Sequence, residues 1–199
     1  MKLLSEPDVP LLQSTLLRDP YYNLFMIGDL DQMGIDHPDL YYWGQYVAGE
    51  MVGVAMRYRG YWMFYDAGGA DLGAFALVVD EYPASRMLNG REPLVLGVCE
   101  RLSAYEVTAD RRCFFCALPM DAQLPAPVHA TREARPKDIP ALVELYATAD
   151  TMRRDAASIK ACIKQNRIYV TVVGDRLVSV ALSLVSTPRA DMQQHETKP

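Results

Sequence analysis

Long apolar runs are missing from this 199-residue chain. Nothing approaches the ~18 consecutive apolar residues of a membrane-spanning helix, so no membrane partner is expected. A secretory signal is missing too. The stretch "MKLLSEPDVP" has one Lys, and an acidic residue and Pro interrupt it at once. A cytoplasmic protein is expected. Histidine is scarce: His37, His129 and His195 are scattered, and of four cysteines only Cys113 and Cys116 form a C-x-x-C. A zinc site needs a second pair or two histidines at ligand spacing, so no metal is expected. "RRCFFCALP" reads as a strand, in which an offset of three sends the two sulfurs to opposite faces. Both thiols are therefore read as small buried hydrophobes. Long basic runs are absent as well, and the net charge is −5. That excludes the electrostatic footprint of a nucleic-acid binder.

What is present is unevenly distributed. Residues 1–125 hold 9 basic and 17 acidic residues, a charge of −8, whereas residues 126–199 hold 11 and 8, a charge of +3. Half of the residues are hydrophobic, enough for a packed core of ordinary globular kind. In "SEPDVPLLQSTLLRD", Leu12, Leu16 and Leu17 form a helical stripe. In "DPYYNLFMIGDLDQMG", Asp19 reads as an N-cap with Pro20 at the first helical position; Tyr21, Leu24, Phe25 and Gly28 share one face, and Gly34 is the stop. "LYYWGQYVAGEMVGVAMRYRGYWMFYDAGG" reads as three antiparallel strands, with turns at Ala48-Gly49-Glu50 and Arg59-Gly60.

Beyond these strands, "ADLGAFALVVDEYP" is helical, "SRMLNGRE" is a short strand and "EPLVLGVCERLSAY" is helical again. "EVTADRRCFFCALP" is expected to close the unit as strand, with a hairpin about Ala109-Asp110. "MDAQLPAPVHA" has two prolines and little periodicity, so it reads as a linker. A second unit then opens with Ile139, Leu142, Val143 and Tyr146 on one helical face. A second helix follows, capped by Asp155, with Ile159, Cys162 and Ile163 inward. "RIYVTVVGDRLVSVALSLVS" is a hairpin about Gly174-Asp175. The chain divides into a first unit at 1–120, a linker at 121–128 and a second unit at 129–199. Both units run from two helices into a meander of strands, the order expected of an internal duplication.

At these residues the chain resembles a known family. "ATREARPKDIPALVELY" followed by "NRIYVTVVGDRLVSVALSL" resembles the opening half of a GNAT-superfamily N-acetyltransferase domain. "NLFMIGDLDQMG" ahead of "VAGEMVGVAMRYRG" resembles the N-terminal domain of bacterial tandem GNAT proteins. The resemblance implies an α+β fold with a mixed, mostly antiparallel sheet flanked by helices, complete in the first unit and partial in the second. It also implies acetyl-CoA as cofactor and a small-molecule or peptide amine as acceptor. In such domains the fourth strand leads into a glycine-rich turn, often preceded by Gln or Arg. The helix that follows offers its N–H groups to the cofactor's pyrophosphate.

In the second unit the stretch after "STPRA" reads "DMQQHETKP", with no glycine. The second copy is therefore expected to be truncated before its pyrophosphate loop. Its apolar edge at Leu182–Val185 is expected to be covered by the first copy or by a second subunit in a homodimer, and its polar tail to fray. In the first unit the matching residues are Gly68, Gly69 and Ala70, between a strand and a helix. Asp66 and Asp71 flank them, and Asp71 is equally readable as the helix N-cap. No general base is assigned. Tyr105 is a candidate acid, and Glu81 a spatial candidate. Two functions stay open on these residues: acetyl transfer from acetyl-CoA to an amine, or a non-catalytic GNAT-like binding, regulatory or assembly protein.

Overall fold

The computed structural model describes residues 1–114, 116, 123, 126, 128–148, 154–164, 167–187 and 190–197, with backbone alone from 184 onward. The chain splits into two compact units, Met1–Ala117 and Leu118–Pro199. The expected linker at 121–128 lies largely outside the described residues. Both units are α+β, with six α-helices in all among the described residues.

The first unit runs β1 (Lys2–Leu3), α1 (Val9–Leu16), α2 (Leu24–Met33), β2 (Leu40–Val47), β3 (Glu50–Tyr58), β4 (Tyr61–Asp66), α3 (Leu72–Glu81), β5 (Met87–Asn89) and α4 (Glu92–Cys99). Its sheet has the order β1-β2-β3-β4-β5. Neighbours are antiparallel except β4 and β5, which run parallel across the α3 connection. Period-2 alternation along β2 and β3 divides the core between the two faces. Leu40, Tyr42, Val54 and Met56 pack with Leu12, Leu16 and Met26 of α1 and α2. Trp43, Ala55, Trp62 and Phe64 pack with Phe75 and Val79 of α3 and with Val98 of α4.

Local rules set most of these boundaries. Ala48 (φ 50°) and Gly49 (φ 87°) make a two-residue turn with both residues left-handed, the turn type whose twist matches paired strands. At the β3–β4 turn Arg59 is left-handed (φ 56°), and a Cβ on Gly60 would sit 2.6 Å from the carbonyl oxygen of Ala84. The expected start of the second helix is corrected. Asp19 closes a turn, accepting from the Tyr22 amide at 3.3 Å, and α2 begins at Leu24 after Asn23. The buried Asn23 amide donates to the Leu16 carbonyl at 2.9 Å, so the two helices are joined by a clasp of tertiary origin. Tyr21, expected inward, is exposed.

The closing strand is also corrected. Residues 105–114 form neither helix nor strand. Cys113 and Cys116 are exposed free thiols, not buried hydrophobes, and Phe114 between them is 98% exposed. The described residues of this segment, 105–114 and 116, join neither sheet.

The second unit runs β6 (Thr131–Glu133), α5 (Ile139–Ala147), α6 (Ala156–Lys164), β7 (Ile168–Val173), β8 (Arg176–Thr187) and β9 (Ala190–Thr197). Its antiparallel sheet has the order β6-β7-β8-β9. Leu142, Leu145 and Tyr146 of α5 and Ile159 of α6 cover Ile168, Val170, Val180 and Leu182. Asp155 caps α6, accepting from the Ser158 amide at 2.7 Å. The tail expected to fray is β9. Leu182 pairs with Gln194, and Val185 with Met192, so the chain itself pairs the edge where the first copy or a second subunit was expected. Backbone N–H and C=O groups made that pairing, and these do not depend on an apolar side-chain pattern.

The two units share the same succession: strand, 3-10 turn, two helices, three meandering strands. Asp8 and Asp138 close the two 3-10 turns, accepting from the amides of Ser5 (3.0 Å) and Arg135 (2.7 Å). Each pairs with a basic residue of the preceding strand, Asp8 with Lys2 and Asp138 with Arg132. Both sheets shift register three residues before the first turn residue, at Gln45/Tyr46 and at Thr171/Val172. Ala48 is the least suited residue in this shared hairpin frame, because a left-handed alanine costs about 1 kcal/mol. Ala48→Asn is expected to raise stability by about 0.5–1 kcal/mol, read as a higher urea midpoint with an unchanged slope.

Candidate functional site

β4 and α3 meet in the turn 67–70, at the carboxyl ends of the parallel strands, where open sheets of this kind place ligands. Gly69 is left-handed (φ 86°). The turn lies close on β3: a Cβ on Gly53 would come 2.8 Å from Cβ of Ala70 and 3.0 Å from the Phe75 ring. Gln45 of β2 fixes the start of the helix. Its Oε1 accepts from the Asp71 amide at 2.6 Å and its Nε2 donates to the Asp71 carbonyl at 2.7 Å. Gln45 is 8% exposed, so these bonds are made in a largely dry setting.

The turn is filled by its own carboxylates. Asp66 Oδ1 accepts from the amides of Gly68 (2.8 Å) and Ala70 (3.0 Å). Asp71 is the N-cap of α3; its Oδ1 accepts from the amides of Gly73 (2.8 Å) and Ala74 (3.3 Å). These carboxylates thus take four of the N–H groups with which the turn and the helix start could meet an anion. A diphosphate brought beside two carboxylates meets repulsion of about 4 kcal/mol per charge pair at 4 Å in a surface-like dielectric. The residues present do not fit the pyrophosphate of acetyl-CoA at Gly68, Gly69 and Ala70.

A second turn lies at the same end of the sheet, between β5 and α4. Arg91 is the residue before α4. It forms an ion pair with Asp19 and lies 4.8 Å over the Tyr22 ring. The two turns border a cleft of about 260 Å³ lined by Tyr22, Phe64, Tyr65, Asp66, Leu72 and Arg91, with Pro93 and Leu94. Burial raises the hydroxyl pKa of Tyr22 and of Tyr65, and the nearby Asp19 carboxylate adds to both. The cleft's one guanidinium is already neutralised by Asp19. It offers apolar walls, two phenols and a carboxylate, which suits a small neutral or cationic ligand better than a polyanion.

Tyr105 and Glu81 lie elsewhere. The Tyr105 hydroxyl donates to the Tyr82 carbonyl and accepts from the Ser85 amide at 3.2 Å. Glu81 is the last residue of the ten-residue α3, about 15 Å along the helix from the glycine turn. Neither is brought to the cleft. Sequence reasoning missed Gln45, although a lone amide in the aromatic strand "LYYWGQYV" was a visible signal. It also missed the Asp19–Arg91 pair, which spans 72 residues and has no local signature. Among the described residues no cluster of three or more His, Cys, Asp and Glu is placed to hold a metal, and no helix is long and apolar enough to cross a membrane.

No protein-family model matches the chain, and no curated protein matches it. Among solved structures, it is similar to an acetyltransferase of the GNAT family from Colwellia psychrerythraea. The identity is 12%, over 99% of this chain and 78% of that chain, with a TM-score of 0.43. A likeness this loose carries no functional assignment.

Asp29 of α2 is the first unit's most perturbed carboxyl. Burial pushes it from 3.8 up to about 6. It also helps burial raise the Tyr42 hydroxyl, which donates to the Met26 carbonyl at 2.6 Å. Between about pH 4 and 6 the folded chain holds a proton that the unfolded chain has released. Stability therefore falls as pH rises through that window, and the cost persists above it. Asp29→Asn is expected to stabilise the protein at pH 7 by about 1–2 kcal/mol, after discounting for partial exposure. The gain should vanish below pH 4, as read from urea midpoints at both pH values. Asp71→Ala is expected to cost about 1 kcal/mol.

Proposed function

We propose that the chain is a GNAT acetyltransferase-related protein whose first unit keeps that frame without its cofactor cradle, and so works as a non-catalytic binding or assembly unit. The single observation behind this reading is the β4–α3 turn. A fourth strand passes through Gly68-Gly69 into a helix and then to a parallel fifth strand, while Asp66 accepts from the Gly68 and Ala70 amides and Asp71 from those of Gly73 and Ala74. The repeated succession of elements in the second unit supports a tandem arrangement. In that unit β9 stands where β4 stands in the first.

Acetyl transfer to an amine is the activity that the resemblance would bring, and it requires acetyl-CoA to bind. Thermal unfolding of the whole chain, titrated with acetyl-CoA to millimolar concentration, tests the reading. No change in midpoint is expected. A ligand at a hundred times its dissociation constant adds about 2.7 kcal/mol; a saturable upward shift of that order would overturn the proposal and favour the transferase.

A further inference from the structure

The opposite end of the first sheet carries an arginine whose charge no described residue answers. Arg57 lies on β3, two residues after Ala55, and so on the face that packs against α3 and α4. Its register partner on β4 is Trp62. The guanidinium carbon sits 4.8 Å from the centroid of the Tyr82 ring and 5.7 Å from that of Tyr41. Tyr82 is itself fixed from behind by Trp43 at 5.2 Å and Trp62 at 5.8 Å. The guanidinium thus rests on an aromatic shelf.

The shelf satisfies the cation's faces but not its N–H donors, which lie in the plane. Arg57 Nε is buried and donates to nothing. No hydrogen bond or ion pair joins Arg57 to any described residue. Polar groups of the flanking residues are directed to other partners. The Tyr82 carbonyl takes the hydroxyls of Tyr105 and Ser85. The Tyr41 hydroxyl donates to the Pro38 carbonyl at 2.8 Å. Asp39 is paired with Arg59 at 3.2 Å. The two terminal Nη groups, unlike Nε, are not buried and have no hydrogen-bond partner among the described residues; held in place on the rings, they form a fork that can take a carboxylate end-on through two parallel bonds.

We propose that Arg57, with Tyr41 and Tyr82, forms a binding site for the carboxylate of a small molecule with an apolar or aromatic body. The site lies about 13 Å along β4 from the glycine turn and does not depend on the reading given above for that turn. A single bidentate contact aided by the shelf is expected to give a dissociation constant of about 1 mM.

The protein has two tryptophans, and both touch Tyr82, so tryptophan emission reports on the shelf. The full chain is titrated with benzoate, with acetate and with chloride at constant ionic strength. Benzoate should give a saturable change, acetate a weaker one and chloride none. Arg57→Gln should weaken benzoate binding at least tenfold. Arg57→Lys, which keeps the charge but not the planar fork, should weaken it several-fold. Urea midpoints show whether each variant is folded, and the lysine variant stands in if the glutamine one is not. A benzoate response no larger than that of chloride overturns the proposal. So does a curve unchanged in a folded Arg57 variant.

Discussion

The exchange of two hydrogen bonds between the Gln45 amide and the backbone of Asp71 is the constraint on which the first unit's functional end depends. It joins an inner strand to the N-cap residue of α3 and takes both backbone polar groups of that residue. With that residue held, the Asp71 side chain accepts from the amides of the first turn of α3. Gly53 lets the turn lie directly on β3, and Asp66 accepts from the Gly68 and Ala70 amides. A buried amide that lost one of its two partners would leave the other unsatisfied at about 1–3 kcal/mol, so the arrangement is strongly specified.

Closure of this turn decides what the sheet's carboxyl end offers. The frame is one that elsewhere serves anions: parallel strands, a glycine turn and a helix N-terminus. Here internal carboxylates supply the negative charge that a bound phosphate would bring, and the helix dipole is answered from within. The adjoining cleft follows the same pattern, since Arg91 is held by Asp19. At the other end of the sheet Arg57 is not answered in this way. The acidic first unit thus holds an unpaired guanidinium at the end of the sheet away from the glycine turn.

The second unit repeats local features of the first. The strand-to-carboxylate pairing, the closed 3-10 turn and the register shift near the hairpin all recur. These are local devices that set the entry angle of a helix and the twist of a hairpin. Gln45, the glycine turn, α3 and α4 belong to the first unit alone among the described residues.

Much of this was legible in the chain itself. The two hairpins about Ala48-Gly49 and Gly174-Asp175, the inward stripes of α1, α3, α5 and α6, and the Asp71 and Asp155 caps follow from side-chain period and turn chemistry. These act over a few residues, so a single sequence carries them. Tertiary structure alone decided the rest. The polar tail becomes β9 because an open strand edge supplies backbone partners that no side-chain pattern announces. The segment with Cys113 and Cys116 stays outside the sheet although its residues suit a strand. The closed turn, the Asp19–Arg91 pair and the shelf under Arg57 each join residues that are remote in the chain, and only the assembled fold sets such distances.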